Sequence, residues 1–169
     1  AKAPLVTSLL PWRTPYGTTT PDKEYINEII DSGVIVDSEA FNQEHSVAAL
    51  MPFINYYFPE ARVVPLLIRD EVDINLRYKI ADILADDMVV AIASVDFSHY
   101  LPSDIAEFHD LKSRRVIESR DYLSLPDLEI DSPATLAFAF DFAEQTASEE
   151  FDFYFREDSD AFFGHPVYE

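Results

Sequence analysis

The sequence predicts an α/β fold, a mixed central β-sheet with helices on both faces. Two observations carry this. Short apolar runs of strand length alternate with amphipathic stretches of about 10–15 residues, the pattern of strands joined by crossover helices. One of those runs, MVVAIASV (88–95), is apolar on both faces, as a buried central strand is. No repeat, low-complexity block or linker interrupts the alternation, so residues 1–169 are expected to form one domain.

The elements follow in order. LVTSLL (5–10) reads as a short strand and the Pro- and Thr-rich stretch PWRTPYGTTTPDK as a loop. Thr20-Pro21-Asp22 opens a helix, with Pro at its first position and acids in its first turn. That helix buries Tyr25, Ile26, Ile29 and Ile30 and ends near Gly33, one of only three glycines and therefore a natural chain reversal. VIV (34–36) is a short extended piece, and EHSVAALMPFINYYF (44–58) has helical apolar spacing with Pro52 inside it, which either kinks the helix or divides it into two pieces. RVVPLLI (62–68) has strand length, and Pro65 points to an edge or a bulge. INLRYKIADILADD (74–87) is an amphipathic helix with Ile74, Leu76, Ile80, Ile83 and Leu84 as its core face. After the 88–95 strand come a helix over 103–119, a loop with a short helical piece, a helix over 133–145 and a strand at FDFYF (151–155).

Composition narrows the function classes. Thirty-two acidic residues against 12 basic ones leave a formal charge of −20, which speaks against nucleic acid or an anionic membrane as partner. Arg outnumbers Lys, as on salt-adapted surfaces, yet 13 Phe and 9 Tyr are not typical of them. The 48% hydrophobic content argues against disorder. Absence of Cys removes disulfides, thiolate nucleophiles and Cys-ligated zinc. There is no apolar run of about 20 residues and no signal-peptide pattern at the start, so a cytoplasmic protein is expected. The opening Ala-Lys-Ala-Pro-Leu-Val reads as mid-protein, which makes an N-terminally truncated fragment an expectation as well.

Three polar clusters could carry chemistry. In DFSHYLP a buried strand ends in Asp96, Ser98 and His99, and ligands of open α/β sheets bind at the carboxyl ends of strands. A carboxylate three residues from an imidazole can fix its tautomer and raise its basicity, although a turn cap and a surface histidine explain the same residues. In EHS, His45 stands at a helix N-terminus, where the dipole disfavours the imidazolium and where Ser46 or Glu44 can cap. In EIDSPATL, Asp131 or Ser132 is the natural cap of the last helix, and Asp131 is alternatively a metal ligand or a charge at the site. His109, among charged neighbours on its helix, reads as solvated, and His165 is uninformative. No dinucleotide, Walker or HExxH motif is present.

EHSVAALMPFINYYFPEARVVPLLI, VVAIASVDFSHYLP and EIDSPATLAFAF, in that order, resemble the Memo family, also called AmmeMemoRadiSam system protein B. The resemblance covers roughly residues 5–160, and DFSHYLP is its most specific piece. It implies the fold shared with class III extradiol dioxygenase B subunits and a site at the strand ends. In the ring-cleaving relatives two histidines and a carboxylate hold a non-haem iron and leave positions open for substrate and oxygen. By position, His99 corresponds to the catalytic histidine, with Asp96 beside it, and His45 to a second pocket histidine. Asp131 takes the place of the carboxylate ligand, where Memo-type proteins carry Cys. Iron is the implied metal, with copper and zinc behind it, and a small aromatic or other small molecule is the implied ligand. A protein partner is the other expectation, since binding roles have been proposed in this family.

The chain also departs from the family. The Pro-His-Ala-Gly and Gly-Pro-x-His stretches that supply the two histidine ligands are absent, and Ala48 or Ala49 stands where an acid follows EHS. A lone Asp131 binds a divalent ion poorly, because affinity comes from several converging ligands. The chain as given is therefore expected to be inactive, the alternative being a metal-dependent dioxygenase-type enzyme when the histidine ligands are present.

Overall fold

The computed structural model describes residues 1–42, 44–98, 101–148 and 150–157. Its elements are β1 (Leu5–Thr7), β2 (Trp12–Thr14), β3 (Gly17–Pro21), α1 (Lys23–Asp31), β4 (Ile35–Val36), α2 (Ser46–Tyr57), β5 (Arg62–Val63), β6 (Leu66–Ile68), α3 (Ile74–Leu84), α4 (Ser103–Ser119) and α5 (Pro133–Gln145). Single 3-10 turns cover Ala40–Asn42 and Tyr122–Asp127. The α/β class stands.

The strands form two three-stranded sheets rather than one central sheet, ordered β4-β1-β6 and β2-β3-β5. Each is mixed. β1 runs parallel to β4, with Val6 opposite Ile35, and antiparallel to β6, with Val6 opposite Leu67. β3 runs antiparallel to β2 and parallel to β5. Pro65 divides the 62–68 run between the sheets. It has no N–H to give to a ladder, so the strand changes sheet there, and the Thr7 hydroxyl donates to its carbonyl at 2.8 Å.

The stretch read as a loop, 11–23, contains the β2–β3 hairpin. Its threonines are good strand formers, and the Thr14 hydroxyl accepts from the Tyr16 amide while donating in the turn. Pro21 accordingly belongs to β3, and Asp22 is the cap of α1, accepting from the Glu24 amide at 3.1 Å. Gly17 has φ +143°, and a Cβ there would meet Asn55 Oδ1 at 2.9 Å, so only glycine fits. α2 keeps Pro52 within one continuous helix. On α3 the buried face is Ile80, Ala81 and Leu84, while Ile74 is 67% exposed because it starts the helix on the solvent side.

Two apolar clusters hold the described residues together. Leu5, Ile29, Val34, Ile80, Leu84 and Phe138 join β1, α1, α3 and α5. Val116, Leu125, Leu136 and Phe140 join α4, the 122–127 turn and the other side of α5, with Val95 and Ile130 packed against them. α5 is thus buried on most sides, as its Ala- and Phe-rich sequence requires. Between the clusters lies a polar triad. Arg77 Nε of α3 donates to Asp141 Oδ2 at 2.6 Å, and the Tyr122 hydroxyl donates to Asp141 Oδ1 at 2.9 Å. Burial and the adjacent Asp141 carboxylate push the Tyr122 phenol well above its ordinary pKa.

Residues 88–95 are the main departure from the sequence reading. They form no strand and belong to no sheet, and they lie mostly exposed. Residues 151–155, also read as a strand, are likewise outside any sheet. A strand's periodicity is written in its own residues, but its ladder needs a partner strand, and neither run pairs with one among the described residues.

Candidate functional site: the end of the 88–98 segment

The 88–98 segment pairs with another part of the chain only at its end. Phe97 forms an antiparallel bridge with Ile130, and the Ser98 amide donates to the Glu129 carbonyl at 2.8 Å. The Asp131 amide donates to the Asp96 carbonyl at 3.2 Å, while the Asp96 amide donates to Asp131 Oδ1 at 2.9 Å. Two clusters 35 residues apart in sequence are therefore joined by reciprocal bonds. The ladder stops there because its partner turns into α5 after Ser132.

The Asp131 carboxylate consequently faces the strand end rather than capping α5. Ser132 is the N-cap residue but makes no cap bond, its hydroxyl meeting Thr135 Oγ1 at 2.7 Å. The cap bond comes instead from Asp70, whose Oδ1 accepts from the Ala134 amide at 3.1 Å across 64 residues of sequence. That separation explains why no local signal marks it.

Ser98 is buried and held at φ 53°, in the left-handed region that a non-glycine residue seldom occupies. Such strain persists only where the surroundings over-determine it. Here they do: besides its amide bond, the Ser98 hydroxyl donates to Asp110 Oδ1 of α4 at 2.6 Å. Asp110 Oδ2 accepts from Arg156 Nε at 2.5 Å, so one carboxylate ties α4 to both the 88–98 segment and the 150–157 tail. Asp110 was legible in the sequence only as one charge on a solvated helix face.

At the start of α2, Glu44 is the cap. Its two carboxylate oxygens accept from the Ser46 and Val47 amides at 2.9 and 3.2 Å. Burial raises the Glu44 pKa, but the amide bonds outweigh it and hold the carboxyl below its ordinary value. His45 is exposed beside it and, among the described residues, makes no hydrogen bond to Asp96 or Asp131. The structure thus brings Asp96 and Asp131 together and leaves His45 unconnected to them by hydrogen bonding; His99 lies outside the described residues. Among the described residues no group of three His, Asp or Glu side chains is placed to hold a metal ion. With Asp131 Oδ1 already accepting an amide, these residues do not by themselves fit the 2-His-1-carboxylate arrangement.

Two surface cavities lie elsewhere. One of about 300 Å³ is walled by Pro15, Tyr16, Pro52, Phe53, Tyr56 and Tyr57, and one of about 400 Å³ lies along α3. Neither includes His45, Asp96 or Asp131. No helix among the described residues is long and apolar enough to cross a membrane.

The fold and the bonded pair Asp96 and Asp131 define an acidic α/β protein with a polar cluster where the 88–98 segment meets the start of the last helix. The family of Memo-like proteins matches residues 2–145, and the chain belongs to that family. A MEMO1 family protein of Methanothermobacter thermautotrophicus is 37% identical over 115 residues, 63% of this chain and 40% of the relative. One of Caldivirga maquilingensis is 33% identical over 109 residues, 60% of this chain and 38% of the relative. One of Saccharolobus solfataricus is 27% identical over 134 residues, 74% of this chain and 47% of the relative. The chain thus spans less than half the length of these curated relatives. No solved structure matches it.

Proposed function

We propose that this chain is a Memo-like protein bearing part of a pocket at the carboxyl end of the 88–98 segment, related to the non-haem iron sites of extradiol dioxygenases, and non-catalytic as given. The reciprocal Asp96–Asp131 bonding carries the reading, because it joins two of the three family-like clusters at one strand end. The pocket residues are His99, Asp96 beside it, His45 as the second pocket histidine and Asp131; with histidine ligands supplied, His99 would serve as acid/base and Asp131 as the carboxylate ligand. A small aromatic molecule is the ligand class, and the location is the cytoplasm. The reading of inactivity rests on the donor set: one or two carboxylates bind a divalent ion weakly without imidazole partners.

Elemental analysis of the purified chain tests this. Less than stoichiometric iron, copper or zinc, unchanged by Asp131→Ala, and no ring opening of catechol are expected. One metal per chain that disappears in Asp131→Ala would overturn it in favour of a metal-dependent dioxygenase-type enzyme. That second reading is favoured by the DFSHYLP stretch, and it requires histidine ligands from sequence beyond these 169 residues.

A further inference from the structure

Four aromatic rings stand together where the β2–β3 hairpin meets α2. Pro52, Phe53, Tyr56 and Tyr57 are spaced i, i+1, i+4 and i+5, so they share one face of α2. The hairpin brings Pro15 and Tyr16 to that face, and the six residues wall the cavity of about 300 Å³. Tyr16 is 60% exposed, Phe53 63%, Tyr56 59% and Tyr57 67%, so core packing does not account for them. Their placement is set by polar contacts behind the rings. The Thr14 hydroxyl lies 3.0 Å from Oδ1 of buried Asn55 and accepts from the Tyr16 amide at 3.1 Å, which clamps the hairpin turn to α2. The Tyr16 and Tyr56 ring centroids are 4.9 Å apart at 60°, and those of Tyr56 and Tyr57 4.9 Å apart at 88°. Rings set so steeply to one another are walls rather than a flat stack.

From this geometry we infer that the cavity binds a small quaternary ammonium ion, a free trimethylammonium compound of the choline kind. The negative faces of aromatic rings attract a cation, and methyl groups on the nitrogen are compatible with apolar walls. A plain ammonium group fits less well, because it would give up hydrogen bonds to water that prolines and ring carbons do not replace. None of the six walls is charged, so no lysine or arginine of the lining competes for the rings. The formal charge of −20 raises the local concentration of cations and disfavours anionic ligands. The volume lies at the lower end of small-molecule sites, which run to about 1,000 Å³, and so suits a small ligand. A neutral ligand of the same shape gains the apolar contact but nothing from charge, and that difference is measurable. The site shares no residue with His45, Asp96 and Asp131, so it does not rest on the pocket reading.

Titration of the full 169-residue chain, followed by the NMR signals of its aromatic rings, tests it. The probes are choline, the neutral alcohol in which a carbon replaces the choline nitrogen, and potassium chloride at matched ionic strength. Choline is expected to shift the Tyr16, Phe53, Tyr56 and Tyr57 rings saturably, and the neutral alcohol to bind at least about 5-fold more weakly. Phe53→Leu and Tyr56→Leu each keep an apolar wall but remove a ring face. Each should weaken choline about 3-fold or more and leave the alcohol within about 2-fold. Should Tyr56→Leu loosen the hairpin, Phe53→Leu, which changes α2 alone, decides. Equal affinity for choline and the alcohol overturns the inference, since the cavity is then a plain apolar cleft. So do shifts that potassium chloride reproduces, which mark ordinary counterion attraction, and choline binding undiminished in Phe53→Leu. Failure of choline to shift the four rings overturns it as well. If a peptide bearing trimethyllysine binds where choline does not, a protein partner replaces the small cation.

Discussion

Asp141 shows how much a single buried carboxylate can organise. It is 2% exposed, and its two partners come from α3 and the 122–127 turn. Removing one member of a buried ion pair leaves the other charge uncompensated, so Asp141→Ala should cost about 3–5 kcal/mol in urea unfolding. Arg77→Met combined with Asp141→Leu should recover much of that loss, since an apolar pair of similar size avoids both desolvation penalties. Gly17 is a second such point. Gly17→Ala forces a Cβ against Asn55, which is itself held by the Thr14 hydroxyl at 3.0 Å, and imposes a φ of +143° on an L-residue. A loss of about 1–3 kcal/mol is expected, read in the same unfolding experiment. At the candidate site, Ser98→Ala keeps the left-handed strain and deletes the bond to Asp110, whereas Ser98→Gly relieves the strain. The glycine variant should therefore be the more stable of the two by about 0.5–1 kcal/mol.

Among the elements, α2 carries a pH signature. The Glu44 carboxyl is held below its ordinary value of 4.5 by the amides it caps, so it contributes stability above that value and loses it as pH falls through the lower folded value. Wild type should lose stability relative to Glu44→Gln on going from pH 6 to pH 3, by about 0.5 kcal/mol given the solvent screening at this half-exposed site. Circular dichroism melts of the two proteins across that range check it. Helices were the legible elements. α4 and α5 fall on 103–119 and 133–145 as read, because helical periodicity, caps and Pro at the first turn are local signals. The β2–β3 hairpin was hidden by prolines that sit at its turn and its end rather than within its pairing. The 88–95 and 151–155 runs have strand composition but no partner strand among the described residues. At the site, Asp96 and Asp131 could be picked out by residue type, but their mutual bond could not, since it spans 35 residues. Asp70 and Asp110 escaped for the same reason: their partners are 64, 12 and 46 residues away.

For the whole molecule, charge sets the response to solution conditions. A formal charge of −20 on 169 residues is self-repulsive, so moderate salt should raise the thermal midpoint by screening it, most steeply below about 0.15 M. An unchanged midpoint between low and moderate ionic strength would show the acids to be well compensated locally. The crossing at Pro65 has a further consequence for the way the molecule comes apart. One seven-residue stretch supplies the outer strand of both sheets, β5 to one and β6 to the other. Peeling the whole stretch away exposes an edge on each sheet at once, β1 on one and β3 on the other. The two sheets are thus tied edge to edge through Val64 and Pro65, the second of which has no N–H to give to either ladder.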